Sequence, residues 1–288
     1  MKSPLGLEAR LPIFDLFKDA VFLLWAKRGR LVSMFLPIIV VLMVLDHYSS
    51  ALGESVMATV GEVAGETKDM PEGMGRFLVL TLVSMLLSVL MATTVHRFSL
   101  QDSAFWPKNA LRFPIRSDWR YLARSVQILA ICVLILMGVS VVGGAFAGIL
   151  SGAAGPEAIQ QTIILFMVPG FMIMLYVSAR LSVTLPEIAI GTEGSDLSRA
   201  WRMSKGNGSR LLIVVLLLPF IVTSPFLMLY SFDHIMMNII AAFGIYAMTL
   251  ISVTVLSLSY QFLLEFYEPQ DGESVQPETS ASDDSLDA

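Results

Sequence analysis

Charge is what this sequence has least of. Only 15% of its 288 residues are Asp, Glu, Lys or Arg, while 55% are hydrophobic and the mean hydropathy is +0.72. An average soluble domain is about 25% charged. A globular core cannot absorb so much apolar sequence, which excludes a soluble enzyme and a disordered chain and points to lipid as the solvent. Positive charge is not in excess either, and a net charge of −5 argues against a nucleic-acid binder. The single cysteine, Cys132, excludes an internal disulfide framework and a Cys-rich metal site. A cleavable signal peptide is also missing. Lys2, Arg10, Lys18, Lys27, Arg28 and Arg30 precede the first apolar run, which makes far too long an n-region.

What is present is six apolar runs, at 31–45, 77–95, 125–156, 158–186 (with Arg180 near its end), 211–232 and 235–264. A helix crosses a hydrocarbon core with roughly 20 residues, because lipid offers no partner to a backbone N–H or C=O. The runs therefore predict six spans at about 31–52, 77–95, 125–150, 159–180, 211–232 and 236–264. The first run is short, but charge supports it. With six spans, 17 of the 19 Lys and Arg fall in segments on one side, and only Lys68 and Arg76 on the other. Without the first span the split becomes 8 against 11, which is no bias. The positive-inside rule then makes both termini cytoplasmic. The expected fold is an all-α polytopic membrane protein. Residues 1–30 form a basic, amphipathic cytoplasmic segment, 31–264 the membrane domain, and 267–288 a disordered acidic tail without Lys or Arg.

Net charge divides unevenly on this topology. The tail from Glu265 carries −8, the outer loops −6 and the remaining cytoplasmic segments +9. In the longest outer loop, 46–76, Val56, Val60 and Val63 recur at helical spacing, suggesting a short amphipathic helix on the surface or a partly helical loop.

The odd-numbered spans begin just after Arg30, Arg124 and Arg210. Spans two and four end in matching strings, His96-Arg97-Phe98-Ser99-Leu100 and Ala179-Arg180-Leu181-Ser182-Val183. Three degenerate hairpins, each entered through an interfacial amphipathic segment, account for this pattern. Ser140, Gly144, Gly148 and Gly152 follow one another at i+4, a stripe that lets helix backbones approach, within the chain or between copies. Pro169, Pro219 and Pro225 fall inside spans four and five and should kink them.

Chemistry is harder to find. The middles of the spans hold no ionisable group, so an ion-coupled carrier is not indicated. His47, His96 and His234 are dispersed, no nucleotide, zinc-protease or hydrolase motif occurs, and no cofactor or metal is expected. Residues 180–210 are the informative stretch. Pro186 should end the continuation of span four. A basic helix with Arg199, Trp201 and Arg202 follows, then Lys205-Gly206-Asn207-Gly208-Ser209-Arg210 feeds span five. Gly206 and Gly208 permit a tight reversal and Ser209 can cap the next helix. The N–H groups of that helix end, beside Lys205 and Arg210, make a candidate site for an anionic lipid phosphate, with Arg202 close in sequence. Glu187 is placed to neutralise Arg180, Arg199 or Arg202. A capped turn with snorkelling anchors is the ordinary alternative.

Arg180, Pro186, Ala200-Trp201-Arg202, Lys205-Gly206-Asn207 and the apolar run from Leu211 resemble the six-span membrane domain attached to some bacterial glycerophosphodiester phosphodiesterases, and its stand-alone inner-membrane relatives. The resemblance implies a bacterial inner-membrane location and a link to envelope or lipid biology. It does not imply phosphodiesterase activity, since no catalytic barrel accompanies the spans. The leading expectation is a non-enzymatic inner-membrane protein that associates with anionic lipids, partner membrane proteins or further copies of itself through a basic cytoplasmic belt. A permease or flippase for a lipid or small amphiphile is second. It calls for a cavity lined by Ser84, Ser88, Thr223, Ser224, Ser252 and Ser257. An enzyme is third, and calls for His96, Glu187 and Asp102 around one pocket.

Overall fold

The computed structural model describes residues 10–63, 73–154, 156–192, 196–232 and 234–267. All of the regular structure in them is helical. The elements are α1 (Ile13–Ala26), α2 (Arg28–Val63), α3 (Met74–Leu100), α4 (Arg116–Ala154), α5 (Pro156–Leu181), α6 (Leu185–Ala189), α7 (Leu197–Met203), α8 (Gly208–Leu211), α9 (Leu218–Leu229) and α10 (Ile235–Tyr267). A turn of π-helix at Leu212–Leu217 runs α8 into α9, and 3₁₀ turns stand at Ser103–Phe105 and Ser182–Thr184.

Six helices are long and apolar enough to span a membrane: α2, α3, α4, α5, the continuous helix of α8 and α9, and α10. Between 17% and 39% of each apolar window is buried inside the protein, so most of the hydrophobic surface points outward. Leu129, Leu134 and Val141 of α4 and Leu165 of α5 are examples. An outward face of this kind is stable only against lipid. The chain is an all-helical membrane protein.

The helices outrun the hydropathic runs that announce them. At 1.5 Å per residue α2 is about 54 Å long, well beyond a ~30 Å hydrocarbon core. It continues unbroken through Val63, so residues 56–63 extend the first span and do not form a separate helix on the surface. Val56 is buried on its inner side. Likewise α4 begins at Arg116, ahead of the expected 125. Pro169 and Pro225 lie inside α5 and α9, whereas Pro219 sits in the first turn of α9, just after the π turn. Proline has no N–H to give the preceding turn, and the wider winding there accommodates the loss. Residues 1–9 and the expected acidic tail 267–288, apart from Tyr267 at the end of α10, lie outside the described residues.

Three neighbouring pairs, α2 with α3, α4 with α5 and α9 with α10, pack along one another. Each pair seats a phenylalanine ring on a glycine: Phe77 on Gly53, Phe166 on Gly143 and Phe226 on Gly244. A Cβ at Gly244 would stand 2.1 Å from the Phe226 ring, so that pair tolerates no side chain there. The seam between α4 and α5 passes through Val139, Gly143 and Gly170. A Cβ at Gly170 would lie 2.5 Å from Val139. Of the expected stripe, nothing within the chain lies within 4 Å of a Cβ at Gly144 or Gly148, while Ser140 is exposed, with its hydroxyl on the Leu136 carbonyl and 3.8 Å from Met167 Sδ of α5. Within the chain, Gly143 and Gly170 admit the close approach.

Helices α3 and α10 carry much of the core. One cluster joins Met34, Phe35 and Ile38 of α2 to Leu90, Val95 and Phe98 of α3. Another joins Leu16 and Ala20 of α1 to Val255, Leu256 and Leu263 of α10.

Candidate functional site

Contacts tie the three segments 11–34, 101–118 and 182–210 together at one end of the molecule. The Ala110 N–H donates to the Met34 carbonyl, Gln101 Nε2 to the Ile190 carbonyl, and the Lys27 ammonium lies 4.7 Å from the Trp106 ring centre. Beneath these segments lies a buried polar layer built from span ends.

Its centre is Asp118, fully buried in the first turn of α4. Arg112 grips it with two bonds, Nη1 to Oδ2 at 2.5 Å and Nη2 to Oδ1 at 2.8 Å. Thr93 Oγ1 donates at 2.8 Å, the Ile115 N–H at 2.8 Å, and Arg97 Nη2 stands 3.7 Å away. The bond back to Ile115, the residue before the helix, is the acidic half of a capping box. Arg97 also donates to the Ala189 carbonyl and to Ser117 Oγ. Next to it on α3, His96 is enclosed, with Nδ1 2.7 Å from Ser257 Oγ and Nε2 3.2 Å from the Tyr121 hydroxyl. Ser257 has one proton to share between the Val253 carbonyl at 3.0 Å and His96 Nδ1, so which ring nitrogen donates follows the tautomer.

The matching arginine of span four does parallel work. Arg180 donates through Nε to Ser204 Oγ at 2.8 Å and through Nη2 to the Trp201 carbonyl, and its guanidinium lies 3.5 Å from the Trp201 ring centre. Arg97 and Arg180 thus each clamp a serine in the segment leading to the next span. Glu187 is buried and pairs with Arg199 at 3.3 Å, one of the three partners expected. Pro186 departs from expectation. The helical path goes on through it to Ala189, because it occupies the first turn of α6, where a missing N–H costs nothing. Asp196 caps α7 by accepting the Arg199 N–H, and that bond holds its carboxyl below the ordinary range.

The stretch from Lys205 to Arg210 is used differently from expectation. Asn207 is buried, and its Oδ1 accepts the Leu11 N–H at 2.9 Å. Arg210 Nη1 donates to the Leu11 carbonyl at 2.8 Å. Two residues of the expected phosphate site therefore hold the backbone just ahead of α1. Gly206 takes φ +85°, as a tight reversal requires, but Gly208 is helical. Gly208 is needed for space, since a Cβ there would come within 2.5 Å of the Tyr176 hydroxyl. Ser209 lies inside α8 and is exposed, so it does not cap the helix; Asn207 holds the cap position and spends its side chain on Leu11.

Arg202 and Lys205 remain exposed, in company with Lys18, Arg28, Arg30, Lys108 and Arg116. Large apolar side chains are exposed among them. Phe14, Val21, Phe22 and Trp25 share one face of α1, opposite the buried Leu16, Ala20 and Leu24, while Phe113, Trp119 and Trp201 continue the series on other segments.

The hydroxyl residues named for a permease cavity line neither the cleft at Asp46 nor the one at Asp102. Thr223, Ser224, Ser252 and Ser257 bond to carbonyls of their own helices, Ser84 Oγ is buried without a partner, and Ser88 is exposed. His96, Glu187 and Asp102 belong to three different surroundings. Asp102 borders a small cleft of about 260 Å³ with Gln101 and Phe105. Among the described residues no group of three His, Cys, Asp or Glu is placed to hold a metal. Sequence reasoning missed the Arg97–Asp118–Arg112 cluster; its one signal was the acidic residue three positions after Ile115. No protein family, curated protein or solved structure matches the chain.

Proposed function

We propose that this protein is a non-enzymatic inner-membrane protein whose basic, aromatic end rests in the anionic headgroup layer of the cytoplasmic leaflet. The observation that carries this reading is the exposed face of α1, with Phe14, Val21, Phe22 and Trp25 side by side and Lys18 among them. Aromatic rings favour the boundary between hydrocarbon and water, and lysine and arginine there gain about 1 kcal/mol each from anionic lipid. The excess of Lys and Arg at this end supports, by the positive-inside rule, a cytoplasmic side for it and for both termini. The likeness of 180–211 to membrane domains linked with glycerophosphodiesters favours a lipid or envelope role. The lipid contact moves from the Asn207–Arg210 turn to exposed cations on three segments.

The test is native mass spectrometry of the purified protein with mixed phosphatidylglycerol and phosphatidylcholine. Phosphatidylglycerol should be retained preferentially. Charge reversal at Arg116, Arg202 and Lys205 together should reduce that retention severalfold, and unchanged retention would refute the belt.

A further inference from the structure

The end of the molecule away from the belt contains a cavity of about 690 Å³ between α2, α10 and the end of α9. Its size is that of a small-molecule site. The lining is chemically lopsided. Asp46 and Glu54 of α2 bring two carboxylates, Tyr230 and Tyr246 bring two phenols, and His47 stands beside Asp46. Among the described residues no lysine or arginine lines it. Ile235, Ile239 and Ile245 make an apolar wall opposite the carboxylates. Asn238, also in the lining, has its Oδ1 buried without a hydrogen-bond partner, an acceptor with no donor.

Asp46 is exposed and is oriented by the Tyr246 hydroxyl, which donates to its Oδ2. This places a fixed negative charge at the mouth of an apolar space. Burial, followed by the Asp46 charge, pushes the Tyr230 hydroxyl up, so it stays a neutral phenol near that carboxylate.

We infer that this cavity binds an organic cation, an ammonium-type group on an apolar body. The carboxylates supply charge attraction, the phenol rings offer faces to a cation, and the isoleucine wall takes the hydrocarbon. An inorganic metal ion fits poorly, because no three ligand side chains converge among the described residues. An anion of the same shape is repelled by the two carboxylates. The inference is independent of the lipid belt, which lies at the other end and uses none of these residues.

Two isosteric ions test it: tetraphenylphosphonium and tetraphenylborate have the same shape and opposite charge. With the full chain in maltoside micelles, the phosphonium should bind saturably and the borate should not. Asp46→Asn and Glu54→Gln should each weaken the phosphonium at least tenfold. Ile239→Trp, which narrows the cavity and leaves both carboxylates in place, should weaken binding severalfold. It keeps the test decisive if Asp46→Asn fails to fold. Equal binding of the two ions, or binding indifferent to Glu54→Gln and Ile239→Trp, would overturn the inference. Competition separates the two sources of such a cation. Displacement by phosphatidylethanolamine assigns a lipid headgroup, displacement by butylammonium assigns a soluble amine, and displacement by neither counts against the site.

Discussion

The two ends of this bundle treat the same side chain in opposite ways. Asp118, at the belt end, is fully enclosed and receives bonds from Arg112, Thr93 and the Ile115 backbone, with Arg97 close by. Asp46, at the other end, is exposed beside an open space and held by one phenol. A carboxylate whose lone pairs are all met by the protein holds structure together. One that is oriented but incompletely met is available to something else. Position in the membrane does not decide between these roles; the neighbours do.

The sharpest way to break this comparison is to neutralise each acid in turn. Asp118→Asn leaves Arg97 and Arg112 without their counter-charge, and removing one member of a buried pair costs about 3–5 kcal/mol. The thermal midpoint in detergent should fall well below that of the parent protein, whereas Asp46→Asn should leave it nearly unchanged. If both variants melt alike, the contrast between the ends is wrong. A smaller effect, about 1–3 kcal/mol, is expected of Gly208→Ala, which drives a methyl group into Tyr176. Tyr176→Leu in the same chain should restore most of it, and failure of that rescue would place the strain elsewhere.

Asn207→Ala removes the acceptor of the Leu11 N–H and leaves a buried donor unmet, at about 1–3 kcal/mol. Its effect should be local. Hydrogen exchange should quicken at the amides from 11 to 26 and stay unchanged in α3 and α4. A uniform increase would mean that α1 is not a separately held element. The smallest effect is expected at Asp196, whose carboxyl is fully exposed. Because its pKa is held down in the folded state, the cap is intact above the ordinary aspartate value near 3.9 and is lost as pH falls through the lowered one. Asp196→Ala should loosen only α7, as faster exchange at 197–203 at neutral pH, with the pH dependence of that segment removed.

Six spans were legible in the sequence because lipid imposes a length and a composition on any segment that crosses it. Their ends were not. Arg116, Arg120 and Arg124 lie on α4 as it leaves the apolar zone, and hydropathy cannot register a helix that continues among charges. The residues of 180–210 were legible as a cluster, including Glu187 with Arg199, since short spacing limits the possible partners. Leu11 was invisible as the partner of Asn207. The two are separated by 196 positions, and the contact uses only the Leu11 backbone, so no side-chain pattern records it. The seam within the chain was hidden for a related reason. An i+4 series of small residues drifts around a helix with 3.6 residues per turn, whereas Val139, Gly143 and Phe146 stay on the face that meets Gly170 and Phe166.

The grip on Leu11 also bears on the order in which the protein is put together. Asn207 and Arg210, which hold the entry to α1, are made almost 200 residues later, and α1 packs on α10, the last of the described helices. The seat for the first helix therefore does not exist until the sixth span is in place. During synthesis α1 must wait, and its face of Phe14, Phe22 and Trp25 already suits a membrane surface as a resting place. Docking of α1 is then the closing step of assembly, a long-range contact that locks the earliest segment against the latest.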